Sequence, residues 1–214
     1  MGENSEKRKI LLIGGGGHCR SVCDSIRALK IYDEIGIVRK DDEPGTESMT
    51  VGSDADLPRL KAEGWTEAVI TVGSVGDVSI RRRLYELVKG YGFHLPVVAD
   101  PSAVIAADAK IAEGCYIGKK AVVNAGSKIG CNVIINTGAL VEHDCCIGDH
   151  AHVSTGAILC GGVSVGPGAH IGAGSIVRQG LSVGENALTG IGSVVVSDVP
   201  GHVVAYGNPC RIRE

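Results

Sequence analysis

The residues able to do chemistry are concentrated in two short stretches. Four of the seven histidines, His143, His150, His152 and His170, lie close together, and His143 is followed directly by Asp144. A histidine beside a carboxylate is the usual kit of a general base, because the acid orients the ring and stabilises its charged form. On spacing alone, a surface histidine with an incidental acidic neighbour is the plain alternative. The second stretch is Gly14-Gly-Gly-Gly17-His18, set between an apolar run and a helical pattern. A glycine turn into a helix aims free N–H groups and the positive helix end at whatever lies above it, which makes a seat for phosphate or another anion. A tight turn without a ligand is the alternative, and four consecutive glycines favour the ligand, since each is destabilising unless the backbone must be bare.

The histidines are held in a repeat. From Ile105, steps of six residues reach Ile111, Ile117, Val123, Ile129, Ile135, Val141, Ile147, Val153, Leu159, Val165, Ile171, Val177, Val183, Thr189 and Val195, of which Thr189 alone is polar. Four places after most of them stands a small residue, such as Ala109, Cys115, Ala121, Ser127 or Cys145. Six is not a helical period, and one aliphatic plus one small residue per hexad is the signature of a parallel β-helix. Three hexads close a coil, so residues eighteen apart stack, and sixteen hexads at ~4.8 Å per coil give a column roughly 25 Å tall. His143 and Asp144 then fall at a corner with side chains outward, while His152 and His170 stack on one another. Glycines directly after the aliphatic positions (Gly118, Gly130, Gly148, Gly166, Gly172, Gly184, Gly190) read as sharp turns.

Ahead of the repeat, strands alternate with helices. Lys9–Ile13, Glu34–Val38, Ala68–Val72 and Leu95–Val98 have strand character. Helical spacing runs over Ser21–Leu29, from a cap at Ser53–Asp56 to Gly64, and over Ile80–Val88 up to Gly90. A loop through Pro44 and Gly45 follows the second strand. The pattern means a parallel α/β sheet whose ligand lies beyond the carboxyl ends of its strands, near Gly14 to His18, Arg39 to Asp42, and Gly73 to Ser74. The division is a flexible tail over 1–8, a half-Rossmann ligand-binding domain over 9–98, and an all-β β-helix over 99–214 with a C-terminal tail from about 199. A nicotinamide dinucleotide is disfavoured, since the GxGxxG pattern fails at Cys19 and the second strand ends in Arg39 and Lys40 rather than an acid.

The totals narrow the class. A net charge of −3 over 214 residues argues against nucleic-acid or anionic-membrane partners. Eight cysteines without paired CxxC spacing read as free thiols in a reducing, cytoplasmic setting, and neither a signal core nor a stretch long enough for membrane insertion is found.

The segments Ile10–His18, Ile80–Tyr85, Pro101–Ala103, Asn136–Asp144, His152–Ser154 and Gly207–Arg211 carry a specific likeness. Through them the whole chain resembles the hexapeptide-repeat nucleotide-sugar acetyltransferases. Within that group it is most similar to the UDP-4-amino-sugar N-acetyltransferases that form UDP-N-acetylbacillosamine, and to the perosamine N-acetyltransferases and sialic-acid O-acetyltransferases. The resemblance implies a left-handed β-helix, a homotrimer with sites between neighbouring prisms, acetyl-CoA as co-substrate, no metal, and a place in glycan biosynthesis. It implies His143 as catalytic base, Asp144 as the acid that supports it, and the Gly161 amide as holder of the thioester oxygen. His152, Ala173, Gly190, Ile191 and Pro209 match cofactor contacts, and Asn136, Gly16, Gly17, His18 and Gly73 match the nucleotide-sugar pocket. Arg39 and Lys40 also fall in that pocket, where the family usually carries acids near the nucleoside.

The expected reaction is direct transfer to the amine of a UDP-4-amino-4,6-dideoxy sugar. A sugar O-acetyltransferase is the nearest alternative, and a covalent route through Cys145 or Cys146 a minor one. A metal-dependent hydratase of the γ-carbonic-anhydrase type is the alternative of another class, with histidine spacings of seven, two and eighteen that do not match its ligand pattern.

Overall fold

The computed structural model describes residues 7–40 and 49–213. Four parallel strands, β1 (Lys9–Ile13), β2 (Glu34–Val38), β3 (Thr50–Gly52) and β4 (Glu67–Ile70), form a sheet in the order β3-β2-β1-β4. Alternation along β1 decides both layers, because successive side chains point to opposite faces. Leu11 and Ile13 meet α2 (Leu57–Ala62) and α3 (Ser79–Gly90), whereas Ile10 and Leu12 meet Cys19, Val22 and Ile26 of α1 (Gly17–Leu29).

Several expectations shift here. α1 begins at Gly17, so Gly17 and His18 belong to its first turn and not to the loop. The segment Ser53–Asp56 does carry its reciprocal cap, with Asp56 accepting from the Ser53 N–H at 2.8 Å, but it forms a 3-10 turn ahead of α2. β3 was not foreseen; three residues on the sheet edge are too few to show a period. The loop expected through Pro44 and Gly45, together with Asp42, lies outside the described residues. Of the expected N-terminal tail, Arg8 is tied down by Asp33 and Glu67. The fourth expected strand does not join this sheet. Pro96 has no N–H to give a ladder, His94 makes only an isolated bridge to Glu67, and Val98–Ala99 pairs instead with Tyr116–Ile117. The β-helix thus begins just before residue 99.

From there the chain winds a left-handed parallel β-helix in coils of eighteen residues. Each rung is two residues, the second pointing inward. The first face stacks Val98–Ala99, Tyr116–Ile117, Ile134–Ile135, His152–Val153, His170–Ile171 and Leu188–Thr189. The second stacks Val104–Ile105, Val122–Val123, Leu140–Val141, Ile158–Leu159, Ile176–Val177 and Val194–Val195. The third runs from Lys110–Ile111 through Lys128–Ile129, Cys146–Ile147 and Ser164–Val165 to Ser182–Val183. The inward ladder from Ile117 to Val195 is nearly solvent-free, and the inward Thr189 hydroxyl is satisfied by the Gly172 N–H at 3.1 Å. Each buried aliphatic contributes about 1.5–3 kcal/mol. The expected tail extends the first face as Val204–Tyr206 and an antiparallel Arg211–Arg213.

The glycines that follow the aliphatic positions are not the turn glycines. Left-handed backbone falls two places further on, at Gly114, Gly126, Gly138, Gly156 and Gly162, and at Lys120, Asn132, Asp144, His150 and Asn186. Gly118, Gly148 and Gly172 are bare for another reason: a Cβ there would lie 2.8, 2.5 and 2.5 Å from the backbone of the next coil.

The N-terminal domain covers the outer side of the first face. Tyr116, Ile134 and Val98 share a core with α1, and Ser25 donates to Asp100 at 2.6 Å. Arg81 of α3 is fully buried, and its guanidinium donates to the carbonyls of Asn132, at 2.9 Å, and of His150, on the corner between the third and first faces. Burial brings it down to about 10, so it stays charged. No helix among the described residues is long and apolar enough to cross a membrane.

Replacing Gly148 by Ala should cost about 1–3 kcal/mol in denaturant unfolding, as overpacking does. Gly156→Asn, at a left-handed turn with open space beside it, should cost less. Equal losses would show that coil contact is not what keeps residue 148 bare.

Candidate functional site

His143 and Asp144 stand on the corner between the second and third faces, just after inward Val141. His143 Nδ1 lies 2.9 Å from Asp144 Oδ2. A carboxylate only accepts, so Nδ1 carries the hydrogen and the neutral ring leaves its lone pair on Nε2, the arrangement a general base needs. Asp144 has φ 59°, a conformation Asp tolerates better than most residues. The backbone is steadied on both sides: the His143 N–H donates to Glu142 Oε2 at 3.1 Å, and the Asp144 N–H to Ala125 O at 2.9 Å. One coil on, Gly161 leaves room for the ring, since a Cβ there would be 2.5 Å from Nε2. The Gly161 N–H has no acceptor among the described residues. Both dyad side chains are more than half exposed, 54% and 73%.

Asn136 and His152 sit elsewhere, where the first face meets the N-terminal domain. His152 Nδ1 is 2.8 Å from the Ser74 carbonyl, which fixes the hydrogen on Nδ1, and Nε2 then accepts from Asn136 Nδ2 at 3.2 Å. Asn136 Oδ1 in turn accepts the Thr137 N–H at 2.8 Å. Both ring nitrogens of His152 are therefore engaged, leaving its ring face and edge for any further contact. His170 crosses that ring at 4.9 Å, edge to face, as the eighteen-residue register requires. Burial pushes His152 down to about 3, and burial followed by the Arg81 charge brings His18 down to about 4. These are neutral, docked histidines.

His18 lies edge-on to Tyr116 at 5.3 Å, with Nε2 buried and unpartnered among the described residues, and Gly73 approaches its Cβ. Gly16 and Gly17 have open space on their free side. Arg39 and Lys40 are set apart from these, lining a cavity of about 120 Å³ beyond the strand ends with Gly14, Val72 and Arg83. Arg39 Nε donates to Thr50 at 2.8 Å, and its Nη1 is buried without a partner among the described residues.

Ala173, Gly190 and Ile191 follow the first face, at the corner before the second. Ile191 is 84% exposed there, and Gly190 is crowded by Tyr206 of the C-terminal segment that also carries Pro209. Within a single chain, Ala173, Gly190 and Ile191, expected at the cofactor, are separated from His143 by the width of a face. Cys145 is inward, bonded to Cys160 O and pushed up to about 11 by burial, so it offers no thiolate. Among the described residues no three His, Cys, Asp or Glu side chains gather to hold a metal. Sequence reasoning placed Ser74 near the ligand but not against His152, and it missed Tyr116 and Gly126; counting eighteen back from Asp144 would have found Gly126, but nothing local marks Tyr116.

A left-handed β-helix bearing a histidine–carboxylate corner beside an α/β domain defines an acetyltransferase of the hexapeptide-repeat class. The family model described as the PglD N-terminal domain matches residues 9–88. No curated protein sequence matches the chain. Among solved structures, perosamine N-acetyltransferase from Caulobacter crescentus, in complex with CoA and GDP-perosamine, is 36% identical with a TM-score of 0.90, over 96% of this chain and 97% of that one. The acetyltransferase domain of PglB from Neisseria gonorrhoeae, in complex with acetyl coenzyme A, is 35% identical with a TM-score of 0.91, over 97% and 100%. WeeI from Acinetobacter baumannii is 25% identical with a TM-score of 0.80, over 96% and 100%. The chain belongs to the nucleotide-sugar acetyltransferase family.

The depressed histidines make a pH prediction. Unfolded, each titrates near 6.5; folded, they stay neutral to about 3 and about 4. The unfolded chain thus takes up more protons in acid, so their contribution is complete above 6.5 and lost as pH falls through that value toward 4. The thermal midpoint should drop over this interval, less steeply in His152→Gln. A midpoint flat down to about pH 5 would contradict it.

Proposed function

We propose that the protein transfers the acetyl group of acetyl-CoA to the amino group of a nucleotide-linked sugar, with His143 as general base. The observation that carries this reading is the free Nε2 of His143, held by Asp144 and facing the bare backbone of Gly161. The amine attacks the thioester carbonyl, forming the C–N bond, and His143 Nε2 takes the proton it loses. The oxyanion is met by the Gly161 N–H, and collapse expels CoA thiolate, which recovers the proton from His143. A UDP-linked 4-amino-4,6-dideoxy sugar is the acceptor we favour, seated through Gly16, Gly17, His18, Gly73 and Asn136, with Arg39 and Lys40 at the nucleoside end. The relatives named for N-acetyl transfer support an amide over an ester product.

We further propose a homotrimer, on the character of the three faces. The first is covered by the chain's own N-terminal domain. The third presents Lys110, Lys128, Cys146, Ser164 and Ser182. The second turns out an uninterrupted aliphatic ladder, Val104, Val122, Leu140, Ile158, Ile176 and Val194, with Val104 63% and Ile176 41% exposed. An apolar stripe of that length calls for a partner. A closed ring of three such prisms with second faces inward lays the His143 corner of one copy against the next copy's Ala173 and Ile191 corner, the heterologous contact that cyclic assemblies use. Acetyl-CoA would run between them, touching His152, Gly190 and Pro209 of the cofactor side.

His143→Ala should lower kcat by ~10²–10⁴-fold with KM for both substrates little changed, measured by release of CoA thiol from a panel of UDP- and GDP-linked amino sugars. Unchanged kcat would remove His143 from the chemistry, and a product acetyl lost in mild alkali would mean an ester. Ile158→Glu should yield monomers by light scattering and lose turnover with them; an intact, active trimer would refute the packing.

A further inference from the structure

Two glycines flank the dyad, one above and one below. Gly161 makes room for the imidazole. Gly126, one coil beneath Asp144, makes room for the carboxylate: a Cβ on Gly126 would stand 2.5 Å from Asp144 Oδ1 and 3.5 Å from its Cγ. The Asp144 side chain thus fills the space that any side chain at 126 would occupy.

The gap cannot simply widen. The Asp144 N–H donates to Ala125 O at 2.9 Å, and the Gly126 N–H donates to Asp108 Oδ2 at 3.1 Å, so both backbone segments are tied in place. Nor is glycine at 126 explained by turn conformation alone. Gly126, Gly162 and Gly180 share one corner and φ values of +70°, +67° and +70°, yet a Cβ at Gly162 or Gly180 meets nothing within 4 Å. Asp144 itself shows that the corner accepts a side chain at this conformation.

We propose that Gly126 is a positioning residue for acetyl transfer, its bare Cα providing the volume in which the Asp144 carboxylate holds His143 Nδ1. It touches no reacting atom and acts only through the dyad, so the inference rests on His143 being the base. A methyl group at 126 turns the carboxylate away from the ring and frees the imidazole to rotate.

The test is a set of variants of the full chain, assayed for kcat and KM and for melting temperature. Gly126→Ala should reduce kcat roughly 10- to 10²-fold, as sub-ångström to ångström misplacement of a catalytic group does, with KM for acetyl-CoA and for the sugar unchanged. Gly180→Ala supplies the same backbone strain without the collision, and should match its melting temperature while keeping kcat. Asp144→Gly, which leaves a glycine at a turn that favours one, should lose as much kcat as Gly126→Ala. In that background Gly126→Ala should cost nothing further, because no carboxylate remains to displace.

Normal kcat in Gly126→Ala beside an inactive His143→Ala would overturn the positioning role and leave the base assignment standing. Losses that multiply in the double variant, or a Gly180→Ala loss equal to that of Gly126→Ala, would overturn it too. Normal turnover in His143→Ala would sink the base and this inference together.

Discussion

Successive coils of the β-helix approach so closely that whatever stands at one position is in contact with what stands eighteen residues later. Backbone N–H and C=O groups pair from coil to coil along all three faces, and the inward aliphatics stack into one solvent-free column. Close approach also has a cost in side-chain space, which is why Gly118, Gly148 and Gly172 are bare. Every functional feature described above is an instance of that one constraint. The His143 ring is accommodated by Gly161 above it, the Asp144 carboxylate by Gly126 below it, and His152 is crossed by His170.

The same geometry assigns different work to the three faces. The first is spent on holding the N-terminal domain, through Tyr116, Ile134 and the His152 contact to Ser74. Its docking is polar as well as apolar: Arg81, buried with no carboxylate beside it among the described residues, donates from Nη1 and Nη2 to turn carbonyls, while its Nε is buried without a partner among them. The second face turns out aliphatic side chains and the third turns out Lys110, Lys128, Cys146, Ser164 and Ser182, and His143 stands on the corner between them. In the single chain both side chains of the dyad are more than half exposed.

Much of this was legible in the residue order. A period of six survives from Ile105 to Val195 because each inward position is tested by its neighbours above and below, and a polar residue is admitted only where, as at Thr189, a backbone N–H can satisfy it. The dyad was legible because His143 and Asp144 are adjacent. Less regular parts were not. Three-residue β3 carries no period, and the run Leu95–Val98 looked like a strand of the first sheet until Pro96 and the pull of Tyr116–Ile117 are weighed. The glycines were assigned to the wrong task, since sequence distinguishes neither positive φ from a close backbone contact nor one kind of empty space from another.

Taken alone, the sequence determined the coil, its eighteen-residue register, the inward ladder and the identity of the candidate base, all properties set by spacing along one chain. The tertiary structure decided what spacing cannot carry: that His152 is locked between Ser74 and Asn136 with both nitrogens engaged, and that the N-terminal domain covers the first face and leaves the aliphatic second face open. The physical reason is that these depend on where a second, non-repeating domain lands on the prism, and its docking contacts join residues such as Ser25 and Asp100 or Arg81 and His150 that share no period.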